Sequence, residues 1–154
     1  MARARQEILI TQPLIDRLSD IDPWPETRSA SIAMFRQSLK RDVDWLLNTR
    51  KPLIPEANSL PLTASSVLLF GLPDSRVFGA TGGKDSGALA RVIEQCIEEF
   101  EPRIENPRVT LTASDTVNRS LHFQLEGTIR YEDMEEEIQI DTVLELISGE
   151  YEVK

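Results

Sequence analysis

From Val109 onward, apolar and polar residues alternate. Val109, Leu111 and Ala113 share one side; Leu121, Phe123, Leu125, Ile129 and Tyr131 share another, with His122, Gln124, Glu126, Thr128 and Arg130 pointing away. Ile138, Ile140, Thr142, Leu144 and Leu146 then alternate with Glu137, Gln139, Asp141 and Glu145. A period of two with one dry and one wet side predicts an antiparallel meander of three to four strands, with turns at 114–118 and 132–135 and a short last segment at 151–154. Upstream the period lengthens. Leu89, Val92, Ile93, Cys96, Ile97 and Phe100 fall on one face of a helix that stops before Pro102. Ile32, Phe35, Leu39, Val43 and Leu46 recur nearly every 3.5 residues, which predicts a longer helix from Thr27 or Ser29 to Asn48 whose apolar stripe is a seam for another helix.

The remaining segments are shorter. Leu14, Ile15 and Leu18 predict one or two helical turns within 12–20, ended by Asp22-Pro23-Trp24-Pro25, where Trp24 is held extended and expected to plug its own domain. Pro52, Pro55 and Pro61 make 50–61 an extended linker. The run at 64–70 is too short for periodicity to separate strand from helix, and helix is the reading taken. Residues 79–87 form a glycine-rich loop with Asp85 or Ser86 available to cap the next helix. The fold class is α+β, an antiparallel meander with one face covered by N-terminal and central helices. Residues 1–26 are an arm with a short helix and 27–154 a single domain.

A chain of 154 residues with 40% apolar and 28% charged content is ordinary for one soluble domain with its own core. The single Cys96 lies on an apolar helix face as a small buried hydrophobe. The run Ile8-Leu9-Ile10 is too short for a signal segment, and no stretch approaches the roughly 18 apolar residues of a membrane span. Net charge is −9, unevenly spread: residues 94–154 carry five Lys/Arg against sixteen Asp/Glu. Such a surface repels phosphate backbones and anionic lipid heads, so it disfavours nucleic-acid and membrane-surface binding through that part and suits a basic protein partner or a plain solvated face; neither nucleic acid nor direct membrane insertion is expected.

Catalytic and cofactor signatures are weak. Gly83-Lys84 does not complete a phosphate loop, because Phe78 stands where the first glycine belongs and Asp85 where a hydroxyl should ligate magnesium. Glu98, Glu99, Glu101 and Glu105 offer carboxylates for a glycosidase, yet Glu98 and Glu99 fall on the wet side of a helix and 6% aromatic content leaves little to stack on sugars. His122 is the only histidine, with no second ligand for a metal, and the acidic run at 132–137 lacks the order of a calcium loop. The expectation is therefore no catalytic residue, no cofactor and no metal.

What remains is Glu101-Pro102-Arg103, a forced corner between helix and strands where the proline sets the backbone that aims both charged side chains. Arg103 either pairs with Glu101 or Glu99 to stiffen the corner or meets a partner there. In this setting the triplet resembles the Glu-Pro-Arg motif of the phage tail baseplate wedge family and, within it, the type VI secretion subunits called TssE. Arg41-Asp42-Val43-Asp44-Trp45-Leu46-Leu47-Asn48-Thr49-Arg50, Phe70-Gly71-Leu72-Pro73-Asp74, and Asp141-Thr142-Val143-Leu144 before Gly149-Glu150-Tyr151-Glu152-Val153 resemble other blocks of that family in the same order. The resemblance implies a baseplate-wedge-like domain without enzymatic activity, in a cytoplasmic baseplate docked at the inner membrane. Its implied partners are wedge proteins resembling TssF, TssG and TssK and the sheath proteins TssB and TssC, whose assembly it would nucleate. It also implies a partner-binding role for Glu101, Pro102 and Arg103, while Arg36 and Lys40, beside the helical stripe, are candidate contacts for wedge helices. The alternatives are a lysozyme-like peptidoglycan glycosidase and a free-standing adaptor domain.

Overall fold

The computed structural model describes residues 9–19, 24–54, 60–74, 86–115, 117–131 and 134–154. The glycine-rich loop at 79–85 with Gly83-Lys84, its Asp85 or Ser86 cap, Pro55, the turn at 132–133 and the side chain of Tyr131 lie outside the described residues. The chain divides into two compact units, Met1–Asp42 and Val43–Lys154.

In the first unit, Gln12 and Ser31 are buried and stitch the incoming chain: the Ile10 amide donates to Ser31 Oγ (3.2 Å), and Gln12 Nε2 donates to the carbonyls of Ile10 (3.1 Å) and Ser31 (2.9 Å). Helix α1 (Leu14–Leu18) ends where Ser19 returns its amide and hydroxyl to the Ile15 carbonyl. Helix α2 (Arg28–Asn48) starts at Thr27, whose hydroxyl accepts the Ala30 amide at 3.2 Å, so Thr27 rather than Ser29 is the cap. The guanidinium of Arg41 forks onto both oxygens of Asp16. That pair turns α1 inside out: Asp16 is 3% exposed, while Leu14, Ile15 and Leu18 stand in solvent at 66%, 50% and 73%. Trp24 is also no plug. It is 41% exposed and walls a cavity of about 970 Å³ with Ala30, Ala33 and Met34. Along α2, Phe35, Leu39, Val43 and Leu46 of the predicted stripe are buried and Ile32 is half-buried.

The second unit is built on the predicted meander, four antiparallel strands in the order β1 (Ile104–Asp115), β2 (Ser120–Tyr131), β3 (Met134–Glu145), β4 (Tyr151–Val153). Helix α3 (Pro61–Ala64) and a 3₁₀ turn (Val67–Leu69) replace the single helical element expected at 64–70, and α4 (Ser86–Phe100) packs along β1. Leu121, Phe123, Leu125, Ile129, Ile140, Thr142 and Leu144 are buried on the dry face as the alternation requires. Strand β1 departs from expectation twice. It begins five residues before Val109, hidden from periodicity by a bulge at Asn106 (φ 51°) and Pro107, opposite which Gly127 makes room because a Cβ there would stand 2.5 Å from Ile104. A second irregularity between Leu111 and Ala113 pairs Ala113 with His122, which moves Ala113 to the wet face. Ser114, Asp115 and Glu135, expected in turns, belong to strands.

Three segments far apart in sequence meet at the end of α2. The Asn48 carboxamide donates to the Tyr151 carbonyl and accepts the Tyr151 amide, both at 2.9 Å, acting as one residue of an extra strand on the outer edge of β4. Thr49 and Lys51 bond both backbone groups of Leu72, at 2.9 and 2.8 Å. This close approach needs Gly71: its φ is +105°, and a Cβ would fall 2.2 Å from the Thr49 carbonyl oxygen. Cys96 Sγ reaches the Gly71 carbonyl from α4 at 3.4 Å.

Replacing Asn48 with Ala strands both Tyr151 groups and is expected to cost about 2 kcal/mol in urea unfolding, from two hydrogen bonds of about 1 kcal/mol each. Asn48→Asp should lose at least as much, because its carboxylate faces the Tyr151 carbonyl instead of donating to it. Burial raises the Cys96 thiol from an ordinary 9.0 to about 11. Below pH 9 the thiol is neutral in folded and unfolded chains alike; between 9 and about 11 the unfolded chain releases its proton first, so stability falls as pH rises. Burial raises the Tyr151 phenol too, from 10.0, which adds to the decline at higher pH. Thermal melts of Cys96→Ala should lose the part of the decline that begins at pH 9 and keep the part due to Tyr151.

Candidate partner-binding corner and sheet edges

The corner is a turn built by its own sequence. Glu101 donates the last helical bond of α4 to Ile97 (2.8 Å), Pro102 has no amide with which to continue the helix, and the Ile104 amide closes the turn on the Glu101 carbonyl at 3.1 Å. The Glu101 side chain folds over this turn. It accepts Arg103 Nε at 2.5 Å on one oxygen and Arg103 Nη2 on the other, a two-point ion pair. Glu101 is buried and Pro102 exposed, and the Arg103 side chain keeps 24% of its surface in solvent. The pairing reading of the triplet holds: Glu101 staples the corner, and the guanidinium that it fixes stands beside the exposed Pro102.

The two sides of the sheet differ. On β1, the outward amide of Val109 is taken by Glu94 Oε2 from α4 at 3.0 Å, and the two bulges and Pro107 interrupt the strand. On β3, the short β4 pairs only Thr142, Val143 and Leu144, with a last bond from the Lys154 amide to the Asp141 carbonyl at 2.7 Å. Residues on one strand direct their backbone groups to alternate sides, so Glu135, Glu137 and Gln139 face outward like Asp141. No strand lies beyond those three among the described residues.

Arg36 and Lys40 are exposed on α2 within the first unit, while the corner belongs to the second. Of the carboxylates considered for catalysis, Glu98 and Glu99 are exposed on α4, Glu101 is buried under Arg103, and Glu105 lies 3.3 Å from Arg130. Glu126 and Glu137 share a cavity of about 530 Å³ on the sheet, but no aromatic side chain lines it to stack on a sugar ring. His122 is half-buried, with Nε2 3.4 Å from Ser120 Oγ. Among the described residues no cluster of His, Cys, Asp or Glu has the arrangement of a metal site, and no helix is long and apolar enough to cross a membrane.

Sequence reasoning missed three features. Asn48 was legible as the end of a helix but not as a clamp on a strand a hundred residues away. Glu94 sits on a predicted wet helix face, where nothing marks it as the partner of an edge amide. The third did carry a signal: residues 52–73 contain a single charged residue, Glu56, and Leu53, Leu60, Leu62, Val67 and Leu68 all stand at least half exposed. Together these side chains make an exposed apolar patch on the described surface.

No curated protein matches the chain significantly. The family of the baseplate wedge protein gp25 matches residues 33–134, from the middle of α2 through the corner to the start of β3. The match covers about two thirds of the sequence and includes the Leu-Leu-Asn-Thr-Arg, Gly-Leu-Pro-Asp and Glu-Pro-Arg blocks in order. The chain belongs to the baseplate wedge protein gp25 family.

Proposed function

We propose that this chain is a non-enzymatic structural subunit of a type VI secretion baseplate. In this reading it joins wedge subunits resembling TssF, TssG and TssK to the contractile sheath and seeds polymerisation of TssB and TssC on the cytoplasmic side of the inner membrane. Membership of a baseplate wedge family carries the reading, and the blocks shared with TssE favour the secretion baseplate over a phage tail. Physical features support it. The apolar ledges at α1 and at Leu53 and 60–68 suit contacts with wedge subunits, and Arg36 and Lys40 add charge on α2. The outward edge of β3 suits strand addition by a sheath subunit, with Arg103 held by Glu101 as an anchor near the strands.

The corner separates structural from docking roles in a double-mutant design. Arg103→Ala leaves a buried carboxylate without its main partner and is expected to cost about 2 kcal/mol, below the value for a fully buried pair because Arg103 is partly solvated. Changing both residues together, Glu101→Gln with Arg103→Gln, removes both charges and should return stability to near that of the parent. Sheath assembly, scored with a fluorescent sheath subunit in cells lacking the native protein, should fail in the single and double variants alike. Recovery of assembly along with stability in the double variant would confine the corner to a structural role.

A further inference from the structure

We infer that strand addition takes place on the β3 side of the sheet only, and that the strand this edge accepts alternates basic with apolar side chains. The inference rests on the strand-addition reading above and specifies its edge and its chemistry. The β1 side is guarded: Glu94 occupies the Val109 amide, and two bulges break the line of groups that an incoming strand must match. On β3, the outward backbone groups of Glu135, Glu137 and Gln139 form a continuous run of about 14 Å.

The side chains along that run set the chemistry. Glu135, Glu137, Gln139 and Asp141 are exposed on the wet face, whereas on the dry face Glu136 and Ile138 are half-buried and Ile140 is buried. Arg130 already neutralises Glu135 at 2.7 Å. Glu137 has no ion pair among the described residues; its wet-face neighbours on β2 include Glu126 and Arg130, and Arg108 stands beside Glu126 on β1. A residue added opposite Glu137 lies across β3 from both arginines and next to the Glu137 carboxylate, where a lysine or arginine is favoured and an acid is repelled. One position along, the side chain turns to the dry face beside Ile138 and Ile140, where an apolar residue extends the core. The region's excess of acids reinforces the preference and hastens encounter with a basic segment.

The test uses the purified full chain and two short fluorescent peptides, one alternating Lys with Val and one alternating Glu with Val. The lysine peptide should bind at least about tenfold more tightly at low salt, with amide shifts of Glu135, Glu137 and Gln139 moving on titration while Val109 to Leu111 stay in place. Gln139→Pro removes an outward amide that no other strand uses, so circular dichroism should be unchanged and peptide binding lost. Shifts along β1, equal affinity for the two peptides, or no saturable binding up to about 1 mM would each overturn the inference. Strand addition itself fails separately: it is refuted if both Gln139→Pro and a proline at Leu111, folded by the same criterion, leave sheath assembly in cells intact.

Discussion

The second unit hangs on the backbone groups that its short elements leave unmet. A three-residue strand at the margin of a sheet has too little of its own to stay in place, and the Asn48 carboxamide supplies what a further strand would: one donor and one acceptor at the spacing of a peptide group. Immediately after it, Thr49 and Lys51 do the same for Leu72 with main-chain groups. Asn48, Thr49 and Lys51 thus fasten the last strand and the Gly71-Leu72 turn to the end of one helix, so the Leu-Leu-Asn-Thr-Arg and Gly-Leu-Pro-Asp blocks meet in the fold. The glycine between them is dictated by the same contact, since no side chain fits against the Thr49 carbonyl.

The elements that could be read from sequence are those in which one face is dry over most of its length. Strand β2 from Leu121, strand β3 from Ile138 and helix α4 keep a single period, and their buried sides are the ones that the spacing selects; the start of β3, where Glu136 falls on the dry face opposite Ile129, escapes the pattern. Where the period slips, reading fails for a definable reason. The first residues of β1 carry a bulge with a left-handed Asn106 and a proline, so no alternation survives there, and the extra residue at Thr112 moves Ala113 across the sheet without altering local composition. Helix α1 misleads in the opposite sense. Its spacing is sound, but the Asp16 and Arg41 pair chooses which face turns inward, and that partner lies 25 residues away. The corner was legible as a place because proline punctuates it; that the glutamate is covered and the arginine left at the surface depended on how the turn closes.

The corner and the β3 edge place charge in opposite circumstances. At the corner a carboxylate is taken almost wholly out of water, which is tolerable because a guanidinium meets both oxygens and fixes their direction. Along β3 the carboxylates remain hydrated, and their effect is collective and sensitive to salt. The first arrangement confers geometry, the second a diffuse field, and the strand that starts at the corner is two places from the strand that bears the acids.

The inverted helix α1 holds apolar surface in water at a definable cost. Each large apolar side chain left in water forgoes about 1.5–3 kcal/mol that full burial would return, and α1 alone presents three of them on five residues. Any surface that covers this ledge recovers part of that energy with no change in the fold, so the gain is available to contact and not to folding.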